Sequence, residues 1–247
     1  MAETALVLTY HSISDAPGPT NIAPETFAMQ MEMLGRCGYT SARLDEFLAW
    51  HEGRGDMARK VLITFDDAFA DFAETAVPIL ASHGLTALMF VPTRKLGGVE
   101  DWYTAPPTNR PLMSRDQVVA LSAQGMEFGA HGRTHVPLPS VTGDERTYEI
   151  VGSKIDIAEL LGTSPSSFAA PYGAVNADVI REIGDHYALA FGTRFAEARR
   201  SDPRHDIPRI DMHYFRVEPA WRNFLEGGRL YFRARQALRM VGQAVRR

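Results

Sequence analysis

Two carboxylates stand side by side at Asp66 and Asp67, directly after the apolar run 61–65. Adjacent carboxylates repel. The pair is either an N-cap with a first-turn acid for the next helix, or a site where negative charge does work. Two histidines four apart, His131 and His135, follow a second apolar stretch, 126–129, with Gly132 and Thr134 between them. Alone they read as paired surface histidines in a loop or first turn. Together, one carboxylate and two imidazoles make a three-ligand site for Zn²⁺ or a similar divalent ion. Three protein ligands leave a position open for water, and the remaining carboxylate is then free to act as a base on it. A third element, Ser167 to Gly173, runs from a strand pattern into a turn fixed by Pro171 and Gly173. A backbone N–H near Tyr172 would point at an oxyanion; the plainer reading is an ordinary Pro-Tyr-Gly turn.

These residues need a frame that brings strand ends together. Residues 5–10, 61–65, 86–91, 126–129, 167–170 and 188–191 read as buried strands, with 207–210 as a last one. Between them lie helical patterns: one opening at Pro24 with Phe27, Met31 and Leu34 at helical spacing, then 45–50, 70–83, 114–124, a capping box at 142–145 opening a helix to 161, and 176–183. Strand and helix alternate about every thirty residues, the pattern of a parallel α/β sheet or barrel. In such folds chemistry collects at the C-terminal ends of the strands, where all three motifs stand. Residues 96–110 read as a long loop, in which Asp101, Trp102 and Tyr103 either stack on a ligand ring or cover the barrel.

In order and spacing, Thr64-Phe65-Asp66-Asp67, His131-x-x-x-His135 and Pro171-Tyr172-Gly173 resemble the first three motifs of the polysaccharide deacetylases, the NodB-homology group or carbohydrate esterase family 4. The resemblance covers about residues 5–215. It implies a distorted (β/α) barrel of about seven parallel strands and a metal-dependent removal of acetyl groups from sugars. By position, it makes Asp66 the catalytic base, Asp67, His131 and His135 the metal ligands, and Tyr172 the donor of an oxyanion-hole N–H. The implied ion is a divalent metal, Zn²⁺ first, with Co, Mn, Ni or Fe as alternatives. The general acid is usually a late histidine, for which His213 is a candidate. However, residues 8–13 and 27–34 resemble the start of the poly-N-acetylglucosamine deacetylase branch, whose acid follows the first strand; there His11 is preferred. Many members pair the base with an Arg just before the Pro-Tyr turn. Here Ala169 and Ala170 stand in that place, and Arg209 is the candidate to supply the cation from another strand. No late Asp-Trp motif is present.

The 247 residues, 45% of them hydrophobic, suit one large domain and exclude a wholly disordered chain. The formal net charge of −4 argues against a general nucleic-acid binder. The single cysteine, Cys37, excludes a disulfide framework and a Cys-based zinc site. No basic leader precedes the first apolar run, so the expected location is cytoplasmic. The charge is unevenly spread: residues 216–247 hold eight Arg and two Glu, so the tail carries +6 and the body −10. The sequence therefore divides into a catalytic domain, 1–215, and a basic helical tail, 216–247. On a helical wheel Leu230, Ala234, Ala237, Leu238, Val241, Ala244 and Val245 fall on one side, and Arg235, Arg239 and Arg246 nearly opposite. Such a helix lies on an anionic membrane through 229–247, or packs its apolar stripe on the barrel or another subunit. The expected activity is hydrolysis of the acetyl amide of an N-acetylated amino sugar. The alternatives are a non-catalytic sugar-binding relative and a two-His-one-carboxylate iron oxygenase, the latter disfavoured by the β/α pattern.

Overall fold

The computed structural model describes residues 2–16, 20–102 and 109–245, and side chains as far as Met240. In chain order the elements are β1 (Thr4–Tyr10), β2 (Ser12–Ile13), β3 (Asn21–Ile22), α1 (Pro24–Arg36), β4 (Thr40–Ser41), α2 (Leu44–His51), β5 (Lys60–Phe65), α3 (Val77–Ser82), β6 (Leu88–Val91), α4 (Arg115–Ala123) and β7 (Glu127–Ala130). They continue with α5 (Gly143–Leu161), β8 (Ser167–Ala169), α6 (Ala177–His186), β9 (Leu189–Phe191), β10 (Ala198–Arg199), β11 (Ile210–Asp211), α7 (Glu218–Leu225) and α8 (Leu230–Val245).

The main sheet runs β1-β5-β6-β7-β8-β9 with every neighbour parallel. Short β11 adds in parallel to β1 through Leu8 and Ile210, and β10 adds antiparallel to the start of β1. Ile207 bridges to Phe191 of β9 just before β11 joins β1. Residues 207–211 thus touch both ends of the parallel run and curl the sheet back on itself. This is the distorted parallel barrel expected, with one antiparallel strand added. The strand expected over 207–210 is shorter than its apolar pattern suggested, because it must leave β9 before reaching β1.

Side chains alternate across a strand, and here the alternation has a direction. Leu6, Leu8 and Tyr10 of β1 and Val61, Ile63 and Phe65 of β5 face the helices and pack with Phe27, Met31 and Leu34 of α1. Ala5, Val7 and Leu62 face inward, with Leu88, Phe90, Ala169 and Phe191. Continuing that register puts Thr9, His11, Thr64 and Asp66 on the inner face at the C-terminal mouth. Gly129 of β7 is required there: a Cβ would meet the Phe90 ring at 2.6 Å and the Ser167 hydroxyl at 2.7 Å.

Several local expectations change. The helix expected over 70–83 begins as a π-turn at Phe72–Ala76 before α3. Thr142 caps α5 by position but accepts no side-chain bond, so no capping box forms. The expected division after residue 215 is not a packing boundary. Trp221, Phe224, Leu225 and Phe232 belong to the same core as β1 and α1, and buried Gln30 of α1 donates to the carbonyls of Met212 and Phe215. The orientation of α8 is also informative. Phe232 is buried, Arg239 reaches inward, and Leu230 and Leu238 are 85% and 65% exposed. The apolar stripe therefore does not pack on the barrel; the aromatic and arginine side does. Tyr103, and the side chains of Val241, Ala244, Val245 and Arg246, lie outside the described residues.

Candidate active site

The C-terminal ends of the inner strands open into a cleft of about 150 Å³, with Asp66, Asp67, His131, His135, Tyr172 and Arg209 in its lining. His11 lines it too, on the residue after β1. Asp66 follows β5, and its backbone N–H donates to the Tyr10 carbonyl. Arg209 sits on the closing segment, 2% exposed. Its two terminal nitrogens each donate to one Asp66 oxygen at 2.7 Å, and its Nε donates to the Gly192 carbonyl at 3.0 Å. A bidentate pair of this kind fixes both groups. Burial raises the Asp66 carboxyl, but the charge and hydrogen bonds of Arg209, with His131 and His11 behind them, hold it below its ordinary value. The cation missing before the Pro-Tyr turn thus arrives from the closing segment between β9 and β1.

Asp67 turns away from Asp66 because its backbone is left-handed, at φ 78°. One of its oxygens lies 3.2 Å from His131 Nε2 and 3.0 Å from His135 Nε2. His131 Nδ1 lies 2.7 Å from the Ala169 carbonyl and can only donate there. That bond leaves Nε2 as the bare nitrogen in a neutral ring, facing a carboxylate oxygen. Two acceptors at that distance need a proton or a cation between them. A tetrahedral ion with ligands at about 2.0–2.1 Å puts its ligand atoms about 3.3 Å apart, close to both separations. All three candidate ligand atoms lie within 4.8 Å of one another. The donor set of two imidazoles and one carboxylate therefore fits a divalent metal. Burial raises the Asp67 carboxyl, but hydrogen bonds from both histidines hold it well below the usual range.

The histidine loop is held from behind by α5. Buried Glu149 accepts from the Arg133 and Thr134 N–H groups at 2.7 and 2.9 Å and from the Thr134 hydroxyl at 2.6 Å. Two turns on, Asp156 takes a bidentate bond from Arg133, both arms at 2.8 Å, and accepts from the Thr93 hydroxyl. Both carboxylates went unnoticed in the sequence, where charged helix positions look like a solvated face. Asp67, Ala68, His135 and Tyr172 are four of the six non-glycine residues with positive φ among the described residues. Such conformations cost about 1–3 kcal/mol each and persist where surrounding bonds over-determine them.

Tyr172, at φ 61°, is 51% exposed, and its ring meets His135 edge-on at 4.8 Å. Trp102 stacks on His135 at 4.0 Å and lines the cleft. His11 Nε2 lies 3.9 Å from Asp66. His213 lies on the 3₁₀ turn Met212–Phe215, is exposed, and is not among the residues lining the cleft. Arg239 of α8 and Asp211, neither given a site role by the sequence, do line it.

Comparison with known proteins bears on this arrangement. The family model described as polysaccharide deacetylase matches residues 54–188. The protein YxkH of Bacillus subtilis (strain 168), assigned by its name to the polysaccharide deacetylases, is 23% identical over 215 residues, 86% of this chain and 71% of that protein. Among solved structures, IcaB from Ammonifex degensii superposes with a TM-score of 0.75 at 22% identity, over 92% of this chain and 97% of that one. The Streptococcus pyogenes deacetylase PplD in complex with acetate gives 0.74 at 22% identity, over 84% and 92%. At these identities the structures show a shared fold.

Proposed function

The chain belongs to the polysaccharide deacetylase family, and on that premise we propose that it hydrolyses the acetyl amide of an N-acetylated amino sugar. The observation that carries this reading is the pairing at the cleft floor: one carboxylate locked to Arg209, the other between two imidazoles. Asp67, His131 and His135 would hold the metal. A divalent ion there supplies Lewis-acid polarisation of a carbonyl and lowers the pKa of a water to about 7. Asp66, ionised and oriented by Arg209, takes a proton from the attacking water. The turn at Tyr172 offers its backbone N–H to the developing oxyanion. His11 gives a proton to the departing amine nitrogen, so that acetate and a free amine leave. The assignment to His11 over His213 rests on its place in the cleft beside Asp66. PplD was solved with acetate, the product of this reaction. A non-catalytic relative would be favoured if no arginine paired with Asp66, and Arg209 supplies one.

The test is an acetate-release screen over N-acetylated sugars, run on protein as purified, after chelation, and after adding back Zn²⁺ or Co²⁺. Release that chelation stops and metal restores is expected. No release from any such sugar by metal-loaded protein would refute the assignment.

We propose in addition that the outward stripe of α8 contacts an anionic membrane. Its support is the exposure of Leu230 and Leu238 together with Arg233, which stays outside while Arg229 and Arg239 pair with acids of the body. Because Phe232 of the same helix is in the core, the suitable test is Leu230→Glu with Leu238→Glu, not a deletion. The double variant should lose co-sedimentation with phosphatidylglycerol vesicles while keeping its melting temperature. A wild-type chain that ignores such vesicles contradicts the idea.

A further inference from the structure

The cleft contains one polar pair that the reaction above leaves without a task. Asp211 and Arg239 both line it, and they come from β11 and α8, outside the residues the family model matches. Arg239 donates one terminal nitrogen to the Thr193 carbonyl at 3.1 Å and the other to Asp211 at a loose 3.5 Å. The adjacent carbonyl, Gly192, is the one that Arg209 Nε holds. Two arginines therefore grip consecutive carbonyls of the segment after β9. Arg209 makes three further bonds, to Asp66 and Thr64, while Arg239 makes only one more, to Asp211.

A guanidinium has five N–H donors and a carboxylate about four acceptor positions. Two Arg239 donors are engaged, and Asp211 accepts from the His213 N–H and from Arg239. The side chains are 24% and 36% exposed, so both keep unspent capacity in a partly desolvated place. Thr9, Thr20 and Thr193 also line the cleft, as do the aromatic rings of Trp102 and Tyr172. A site that offers donors and acceptors together, beside aromatic rings, suits a group that is itself both: the vicinal hydroxyls of a pyranose. It suits an anionic substituent poorly, because Asp211 stands beside the one arginine, among the described lining residues, that is not locked to a catalytic carboxylate.

We propose that Asp211 and Arg239 form the subsite that binds the hydroxyls of an uncharged N-acetylhexosamine ring, so that α8 helps to select the substrate. The proposal rests on the deacetylase reading for the reaction but not for the binding. It makes Arg239 a specificity-determining residue and gives the C-terminal helix a part in the cleft that the charge pattern of the sequence did not suggest.

The test uses N,N′,N″-triacetylchitotriose (hereafter chitotriose) as neutral probe and a hyaluronan tetrasaccharide as anionic one, on full-length, metal-loaded protein. Binding is measured by calorimetry in the Asp66→Asn background, and acetate release in the Asp66 background. Losing a hydrogen bond from a charged donor weakens binding by about tenfold or more. Arg239→Gln should therefore raise the chitotriose Kd and KM by about that factor, with kcat within about twofold and metal content unchanged. Arg239→Lys should recover part of the loss, which a merely structural role would not predict. Asp211→Asn should narrow the preference for the neutral probe. If chitotriose binds in an Arg239-dependent way but no acetate is released, the subsite stands and the reaction assignment falls. If acetate is released with the same KM by wild type and Arg239→Gln, the reaction stands and the subsite falls. Failure of chitotriose to bind, or tighter binding of the anionic probe, also overturns the subsite.

Discussion

At the scale of single residues, the account turns on why two adjacent aspartates behave differently. Strand alternation sends Asp66 to the inner face, where Arg209 meets it, and the left-handed backbone at Asp67 turns the next carboxylate to the histidines. Arg209→Met would leave a buried, unpaired carboxylate, a change that costs about 3–5 kcal/mol. Urea unfolding at pH 7 should show it, and Arg209→Met with Asp66→Asn should recover much of the loss. The pH dependence follows from the same pair. Asp66 is held below its ordinary value, so its contribution is present above an unfolded pKa of about 3.9 and is lost as pH falls through the folded value. Wild type should therefore lose more stability between pH 7 and pH 3 than the double variant does. If the two curves run parallel, the pair contributes nothing. The site residues themselves were legible because carboxylates and histidines stand out after apolar runs. Arg209 was nameable because its neighbours Ile207 and Ile210 mark a strand. Glu149 and Asp156 were not, since a helical carboxylate shows its burial only once the helix has a neighbour.

At the scale of elements, α5 is what shapes the loop after β7 that carries the two candidate metal-binding histidines. Glu149 satisfies two consecutive backbone N–H groups between the two histidines, and Asp156 ties Arg133 to the segment after β6 through Thr93. Partners of this kind, one step behind the ligands, are worth about 10–100-fold in metal affinity. Glu149→Ala should weaken Zn²⁺ binding by about that range in a competition titration, with the barrel still folded by circular dichroism. An unchanged affinity would mean the loop holds its shape alone. The extent of α5 was readable from the sequence, but its two inward carboxylates were not. Among the described side chains, Leu230, Ala234, Ala237 and Leu238 of α8 are exposed while Arg235 and Arg239 are partly covered, and periodicity alone cannot say which side faces in. Tyr231 and Phe232, which lie on neither named stripe, decide it by packing against Tyr214, Phe195 and Phe224.

At the scale of the whole molecule, the barrel is closed by residues 207–211 and braced by α7 and the first turns of α8, so these elements are part of the body. Trp221 is fully buried and donates to the Gln30 carbonyl at 3.1 Å. Trp221→Ala should cost about 3–5 kcal/mol in a single cooperative transition. Were 216–247 a separable tail, the main transition would not move. The division of charge into an acidic body and a basic end is real in the sequence, but the structure turns part of the basic end inward, where Arg229 pairs with Glu197 and Arg239 meets Asp211. The central claim is that the two aspartates have separate work, proton transfer for Asp66 and metal ligation for Asp67. The most direct measurement is bound metal and acetate release on the same preparations of wild type, Asp66→Asn and Asp67→Asn. The account predicts that Asp66→Asn keeps its metal and loses turnover, while Asp67→Asn loses both. Loss of metal from Asp66→Asn with retention in Asp67→Asn would contradict it.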